Sequence, residues 1–354
     1  AYYRNHHASD AQELVEYDFD TSPTLQVPGD WNSQRESLLY YEGTVWLRRV
    51  FDFSPRPGTS RQFIHFGAVN FKAEVYLNGE KLGVHEGGFT PFNFEATRTL
   101  RPRANFLVVK VDNTRRAEAV PTTSTDWWNY GGITRDVTLI EEPASFIQDH
   151  ALHWKPGSAH TLAGFVQLDG ARGGEALSIA IPELGLEHRV LVDAQGQARY
   201  EIEAPGLQPW SPQSPKLYEV IVRTVAQSLR DDIGFRQIST RGAELLLNGK
   251  PLFLRGISIH EENPLEGRRA HSLADAQRLL DWAQALGCNY VRLAHYPHNE
   301  HLLREADRRG LLVWEEIPVY WTIAFANPAT LASARQQLGE MITRDRNRAS
   351  VIVW

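Results

Sequence analysis

The sequence predicts a multidomain chain: a jelly-roll β-sandwich, then an immunoglobulin-like β-sandwich, then the N-terminal part of a (β/α)8 TIM barrel. Three observations carry this reading. The chain has 354 residues, more than one ordinary domain holds. Up to about residue 238 it offers short β-type runs separated by turn signals, with no helical period of useful length. From residue 239 strand and helix patterns alternate, which is the grammar of a parallel sheet.

The first region, residues 1–143, contains Phe63–Phe66 and Phe106–Val111 as β-type runs, with an alternating stretch at Ala73–Leu77. Asn78-Gly79 comes directly after that stretch and supplies the two positive-φ residues of a type I′ turn, so Lys81–His85 is expected to pair back. An antiparallel sandwich of jelly-roll type satisfies this pattern. The second region, residues 144–238, reads as strands at Ala151–Trp154, Leu162–Gln167, Ala176–Ile181, Ala198–Ile202 and Leu217–Val225, about the number in an immunoglobulin-like sandwich. The third region, residues 239–354, opens with a hairpin around Asn248-Gly249, expected to lie across the bottom of the barrel portion. Strands are then expected at Phe253–His260, Asn289–Ala294, Leu311–Glu316 and Val351–Trp354. Helices are expected at Ser272–Leu286, Asn299–Arg309 and Ala332–Arg346. Ser272 with Asp275 makes a capping box, and Gly287 and Gly310 supply stops. A complete (β/α)8 barrel needs about 250 residues. The third region is therefore expected to be only the beginning of one.

A net charge of -6 argues against nucleic acid as a partner. No run of 18 apolar residues is present, so no membrane-spanning helix is expected. The single cysteine, Cys288, excludes an intrachain disulfide and is expected to be a buried small hydrophobe. The compartment, periplasmic or cytoplasmic, stays open, because the chain begins at Ala1 and a leader could have been removed. His6-His7 is expected to be a solvated pair near the terminus. The ten Trp and twelve Tyr suit sugar rings, although most are expected to fill sandwich cores. The sequence has no Cys-x-x-Cys, no Gly-x-Ser-x-Gly and no phosphate-binding glycine loop.

The segment Asn289-Tyr290-Val291-Arg292-Leu293-Ala294-His295-Tyr296-Pro297, continuing to Asp307-Arg308-Arg309-Gly310 and an apolar run, resembles the signature of family 2 glycoside hydrolases of the β-glucuronidase and β-galactosidase kind. Leu293 departs from the small residue usual there. Asp126-Trp127-Trp128-Asn129-Tyr130-Gly131-Gly132-Ile133 is similar to a sugar-gripping loop of β-glucuronidases. Val27–Asn32, Tyr41–Trp46, Asn70–Gly79 and Gly234-Phe235-Arg236 extend the resemblance over nearly the whole chain. The resemblance implies a retaining exo-β-glycosidase with a carbohydrate substrate, no cofactor, and a homo-oligomeric full-length protein.

The resemblance assigns substrate binding to Asp126, His260 and His295, and orientation of the nucleophile carboxylate to Arg292. A guanidinium beside a carboxylate keeps it ionised. Asn129, Glu261, Tyr296 and Glu316 are implied as supporting residues. Trp128 and Tyr130 are expected to pack while Asp126 binds. In the family the strand at Ser350–Trp354 runs on into Ser-x-x-Asn-Glu, whose Glu is the acid/base, and the nucleophile comes later. The implied catalytic carboxylates thus lie outside these residues, and the 354-residue chain alone is expected to hydrolyse nothing. Adjacent carboxylates on a strand point in opposite directions, so Glu261-Glu262 and Glu315-Glu316 are poor catalytic pairs. Pro318–Thr322 lacks the Glu-x-His magnesium pair of large β-galactosidases, so a metal-free site is expected. Other readings remain open: β-galactosidase, more weakly β-mannosidase, a non-catalytic carbohydrate-binding protein, or, least favoured, a purely structural fragment. A binding module has no evident use for Arg292 and His295.

Overall fold

The computed structural model describes residues 2–3 and 19–354. His6 and His7 lie outside the described residues. The first region is built from two sheets. One has the order Tyr2–Tyr3, Thr44–Phe51, Asn105–Asp112, Lys72–Leu77, Glu80–Glu86; the other has the order Phe92–Glu95, Arg61–Phe66, Val137–Glu142. All their pairings are antiparallel. Arg61–Phe66 alternates half-buried with buried residues, as a strand with one face on a core must. Val45, Val75 and Val109 of one sheet share a core with Ile64, Phe66 and Phe92 of the other. The expected hairpin forms, with Asn78 at φ 53 and Gly79 at φ 87.

The second region also has two antiparallel sheets, ordered Gln197–Glu203, Thr161–Asp169, Phe146–Trp154 and Leu186–Leu191, Ala176–Ile181, Tyr218–Arg223, Ser228–Ile233. Their inner faces meet through Leu152, Leu162 and Val166 against Ile179, Val220 and Val222. The strand expected to begin at Ala151 begins at Phe146, and the one expected over Leu217–Val225 is trimmed to Tyr218–Arg223.

A small antiparallel hairpin sheet, Ile238–Arg241, Glu244–Leu247 and Lys250–Pro251, leads into a four-stranded parallel sheet. Its elements are β1 (Gly256–Ile259), α1 (Leu273–Ala285), β2 (Tyr290–Leu293), α2 (Glu300–Arg309), β3 (Leu312–Glu315), α3 (Pro328–Asp345) and β4 (Val351–Val353). The strands lie in the order β1-β2-β3-β4, each followed by a helix up to α3. α1 has the full capping box between Ser272 and Asp275. It buries Leu279, Leu280 and Ala283 against Val291, Leu293 and Val313. A fully buried leucine such as Leu280 contributes about 1.5–3 kcal/mol relative to exposure.

Three expectations are corrected. β1 starts at Gly256 rather than Phe253, because the Asn289 side chain binds the backbone at both Phe253 and Arg255 and replaces the ladder there. α3 starts at Pro328 rather than Ala332: Asn327 caps it by accepting from the Ala329 amide, with Pro328 in the first turn. Cys288 is half-buried, not buried, packing at the margin of the barrel core.

Candidate active site

The candidate site lies where the C-terminal ends of β1, β2 and β3 meet the loop 125–131 of the first region. Parallel register sets Ile259, Leu293 and Glu315 side by side, so the residues just beyond them emerge together at one rim. These are His260, His295 and Glu316. The Ala294–His295 peptide is cis.

The loop reaches this rim because it is tied down at its base. Asn129 donates to the Asn113 carbonyl at 2.8 Å and accepts from the Asn70 amide at 3.1 Å, while Asn70 also donates to the Tyr130 carbonyl at 2.6 Å. Gly131 lies against Trp31, where an added Cβ would stand 2.1 Å from the indole. Asn129 therefore braces the loop by its base rather than facing the rim. Consecutive residues of the loop point opposite ways. Trp127 is buried and packs on His295, Tyr296 and Tyr320, with ring centroids 5.7, 5.3 and 5.4 Å away. Trp128, expected to pack, is 39% exposed, and the packing falls to Trp127 and Tyr130.

Asp126 accepts from the Tyr320 hydroxyl at 2.8 Å through Oδ2. Its Oδ1 stands 3.6 Å from His295 Nε2 and 3.9 Å from His260 Nε2, too far for a hydrogen bond. On the far side of His295, Nδ1 is 3.0 Å from Glu316 Oε1. A carboxylate only accepts, so Nδ1 carries the proton and neutral Nε2 faces Asp126 with its lone pair. Arg292 Nη2 also stands 3.1 Å from Nδ1. A guanidinium cannot donate to a protonated nitrogen, so its bonds are the two to Glu316, at 3.0 and 2.8 Å. Arg292 further sits over the Trp314 ring, 4.7 Å from its centroid. The result is two acceptors, Asp126 and His295 Nε2, facing each other across a gap that calls for a donor.

Behind the rim lies a buried charge cluster. Glu261 is bound by Arg135 at 3.1 Å and Arg269 at 2.5 Å, and accepts from the Asn299 amide. Burial alone would push its carboxyl up, but the two guanidiniums outweigh it and hold the group at about 2. Arg135 also donates to the carbonyls of Phe89 and Pro297, at 2.7 and 2.6 Å, so it joins the first region to the barrel. Tyr296 is buried, stacks on Phe89 at 4.1 Å, and accepts from the Glu261 amide through its hydroxyl. Glu315 is fully buried beside Asp345 and Arg344, and burial together with Asp345 raises its carboxyl well above the usual range. Of each paired glutamate, one side chain is buried and the other reaches outward, as strand alternation requires.

Sequence reading missed Tyr320, Arg135 and Arg269 as parts of this assembly. Only a spatial neighbour 126 or more residues away explains Arg135 or Tyr320, so no local signal could have found them. The ligand atoms of Asp126, His260 and His295 lie within 4.8 Å of one another, so these three could also hold a divalent cation.

Residues 1–143 match the sugar binding domain of glycosyl hydrolases family 2, and residues 238–354 match the TIM barrel domain of the same family. A putative β-glucuronidase of Formosa agariphila is 28% identical over 94% of this chain and 42% of its own length. A β-galactosidase of Thermoanaerobacterium thermosulfurigenes is 33% identical over 82% of this chain and 43% of its own length. The chain thus spans less than half the length of these curated relatives. A solved β-glucuronidase of Ruminococcus gnavus, in complex with D-glucuronic acid, shares the fold with a TM-score of 0.87, at 23% identity, over 100% of this chain and 64% of that one.

Proposed function

Since the chain belongs to glycosyl hydrolases family 2, we propose that it is the sugar-recognition part of a retaining exo-β-glycoside hydrolase, β-glucuronidase-like in specificity. The carrying observation is the facing pair of acceptors, Asp126 and His295 Nε2, 3.6 Å apart at the ends of barrel strands. A sugar hydroxyl is a donor that fits between them, and neighbouring hydroxyls of one ring can satisfy Asp126, His260 and His295 together. Arg292 is the residue proposed to orient the nucleophile carboxylate. Its bidentate hold on Glu316 supports the reading, because it presents a guanidinium to carboxylate at this rim. Glu316, Tyr296 and Glu261 set the positions of the binding residues, and Asn129 holds the loop that delivers Asp126.

The finer architecture belongs to the same proposal: a jelly-roll domain over 1–143, an immunoglobulin-like sandwich over 144–238, and the start of the barrel over 239–354. Two antiparallel sheets around one core in each of the first two regions support it. Hydrolysis by the whole protein, its substrates and its homo-oligomeric state are proposed on the family's account. The carboxylates at this rim are already engaged, Asp126 by Tyr320 and Glu316 by Arg292, which suits binding rather than bond cleavage.

Named β-galactosidases among the relatives favour galactosides as the second reading. Saturation-transfer NMR on this chain with methyl β-D-glucuronide and methyl β-D-galactoside tests both. Binding of the glucuronide, weakened about tenfold or more by Asp126→Ala and by His295→Ala, is expected from the loss of a charge-assisted hydrogen bond or its partner. Preference for the galactoside selects the second reading. Binding unaffected by Asp126→Ala overturns the site.

A further inference from the structure

A second cavity opens beside Asp126, on the side away from the histidines. It has a volume of about 400 Å³, and Asp126 lines it together with Tyr40, Trp128, Glu42 and Arg115. That volume lies within the range of small-molecule sites. Tyr40 is 82% exposed, yet its backbone is held firmly. The buried Asn32 amide donates to the carbonyls of Leu38 and Leu39 at 3.0 and 3.1 Å, and Leu38 is anchored in the sandwich core. The Tyr40 and Trp128 rings stand 5.7 Å apart at 51°. Neither belongs to the aromatic cluster that carries the rim, where Trp127 supplies the packing.

Two large aromatic faces held on fixed backbone and left in water contribute little to the fold. Exposed aromatic surface set among polar groups marks a binding surface. The polar groups are in place: Arg115 pairs with Glu42 at 2.9 Å, and its Nε is enclosed with no hydrogen-bond partner. Guanidinium and carboxylate side by side offer donors and acceptors to hydroxyl groups, while the rings offer flat apolar faces to C–H surfaces. A pyranose ring presents both kinds of surface; a flat aryl group has no use for the charged pair.

We propose that Tyr40, Trp128, Arg115 and Glu42 form a second sugar subsite, which takes the pyranose ring next to the terminal sugar held at Asp126. This rests on the proposed glycoside-binding role of Asp126, which lines both cavities. It makes the preferred ligand a β-linked saccharide rather than an aryl glycoside.

The test is saturation-transfer NMR on this chain with cellobiouronic acid (glucuronic acid β-linked to glucose). Both rings are expected to receive saturation. Tyr40→Ala and Trp128→Ala should each lose transfer to the glucose ring and keep it on the glucuronate ring. Tyr40 is so exposed that its truncation cannot disturb the core, and circular dichroism checks the Trp128 variant. If the wild-type glucose ring receives no saturation, or if both variants leave it unchanged, the subsite is refuted while the Asp126 reading stands. If p-nitrophenyl β-D-glucuronide displaces cellobiouronic acid and its aryl signal falls in both variants, the cavity takes aryl groups and the saccharide assignment is overturned. If the glucuronate ring receives no saturation either, the underlying reading of Asp126 fails as well.

Discussion

Replacing Glu261 by Gln keeps the shape of a side chain that is almost wholly buried and removes its charge from between Arg135 and Arg269. Two routes give the size of the effect. A carboxyl held at about 2 rather than 4.5 is worth about 3 kcal/mol at neutral pH. Removing one partner from a buried ion pair costs roughly 3–5 kcal/mol, because the remaining charge is left uncompensated. Glu261→Gln should therefore lose about 3 kcal/mol, read from urea midpoints at pH 7 with an unchanged slope. The sign with pH is set by a folded-state value below the unfolded one. The stabilisation is fully present above about 4.5 and is lost as the pH falls through about 2. The gap between wild type and variant should shrink to about 2 kcal/mol at pH 3.5. Adding Arg135→Met to the Gln variant should restore part of the loss, since it removes one stranded charge. A loss under about 1 kcal/mol at pH 7, or one that does not change between pH 7 and 3.5, would refute the argument that charge compensation holds this joint.

Asp307 behaves in the opposite sense. Burial pushes its carboxyl up to about 6 despite Arg348 and the Ser350 amide, so the folded state favours the protonated form. That contribution is present below the unfolded value of about 3.8 and is lost as the pH rises through about 6, a change of about 3 kcal/mol; Asp307→Asn should flatten that part of the pH–stability curve measured by urea denaturation. Gly310 ends α2 at φ 71, and an added Cβ would meet the Pro212 carbonyl oxygen at 2.5 Å. Gly310→Ala should cost at least about 1–2 kcal/mol by the same assay, and a neutral outcome would mean that the joint with Pro212 yields freely. Leu280 is fully buried in α1, so Leu280→Ala should cost about 2–5 kcal/mol; a smaller loss would show that the barrel core collapses around the gap.

What the sequence disclosed depended on whether a residue answers to its chain neighbours or to distant ones. α1 was legible at both ends because Ser272, Asp275 and Gly287 act within one turn of the helix they bound. α3 was misplaced by four residues at its start because its buried face is polar. Thr330 donates to the Glu118 carbonyl and Gln337 to the Val120 carbonyl, so the helix docks on the first region by hydrogen bonds and shows a weak apolar stripe. The Asn327-Pro328 start signal was present and went unread. In the loop 125–131 the residue type pointed to sugar binding, but which indole packs and which stays in water depends on the loop's direction against the barrel.

The same division governs the site. His260, His295 and Glu316 were legible as rim residues because each lies just past a strand of a parallel sheet, and the ends of such strands converge. Their chemistry was not. His295 becomes an acceptor towards Asp126 only because Glu316, reached through β3, takes its Nδ1 proton, and Glu316 is fixed for that task by Arg292 on β2. Asp126 arrives from a different region and is steadied by Tyr320, 194 residues away. The facing acceptors that make this rim receptive to a hydroxyl donor are therefore a property of four segments brought together. Loss of Glu316 would free His295 Nδ1 to be the acceptor and turn its Nε2–H towards Asp126, closing with a hydrogen bond the gap in which the sugar is proposed to bind.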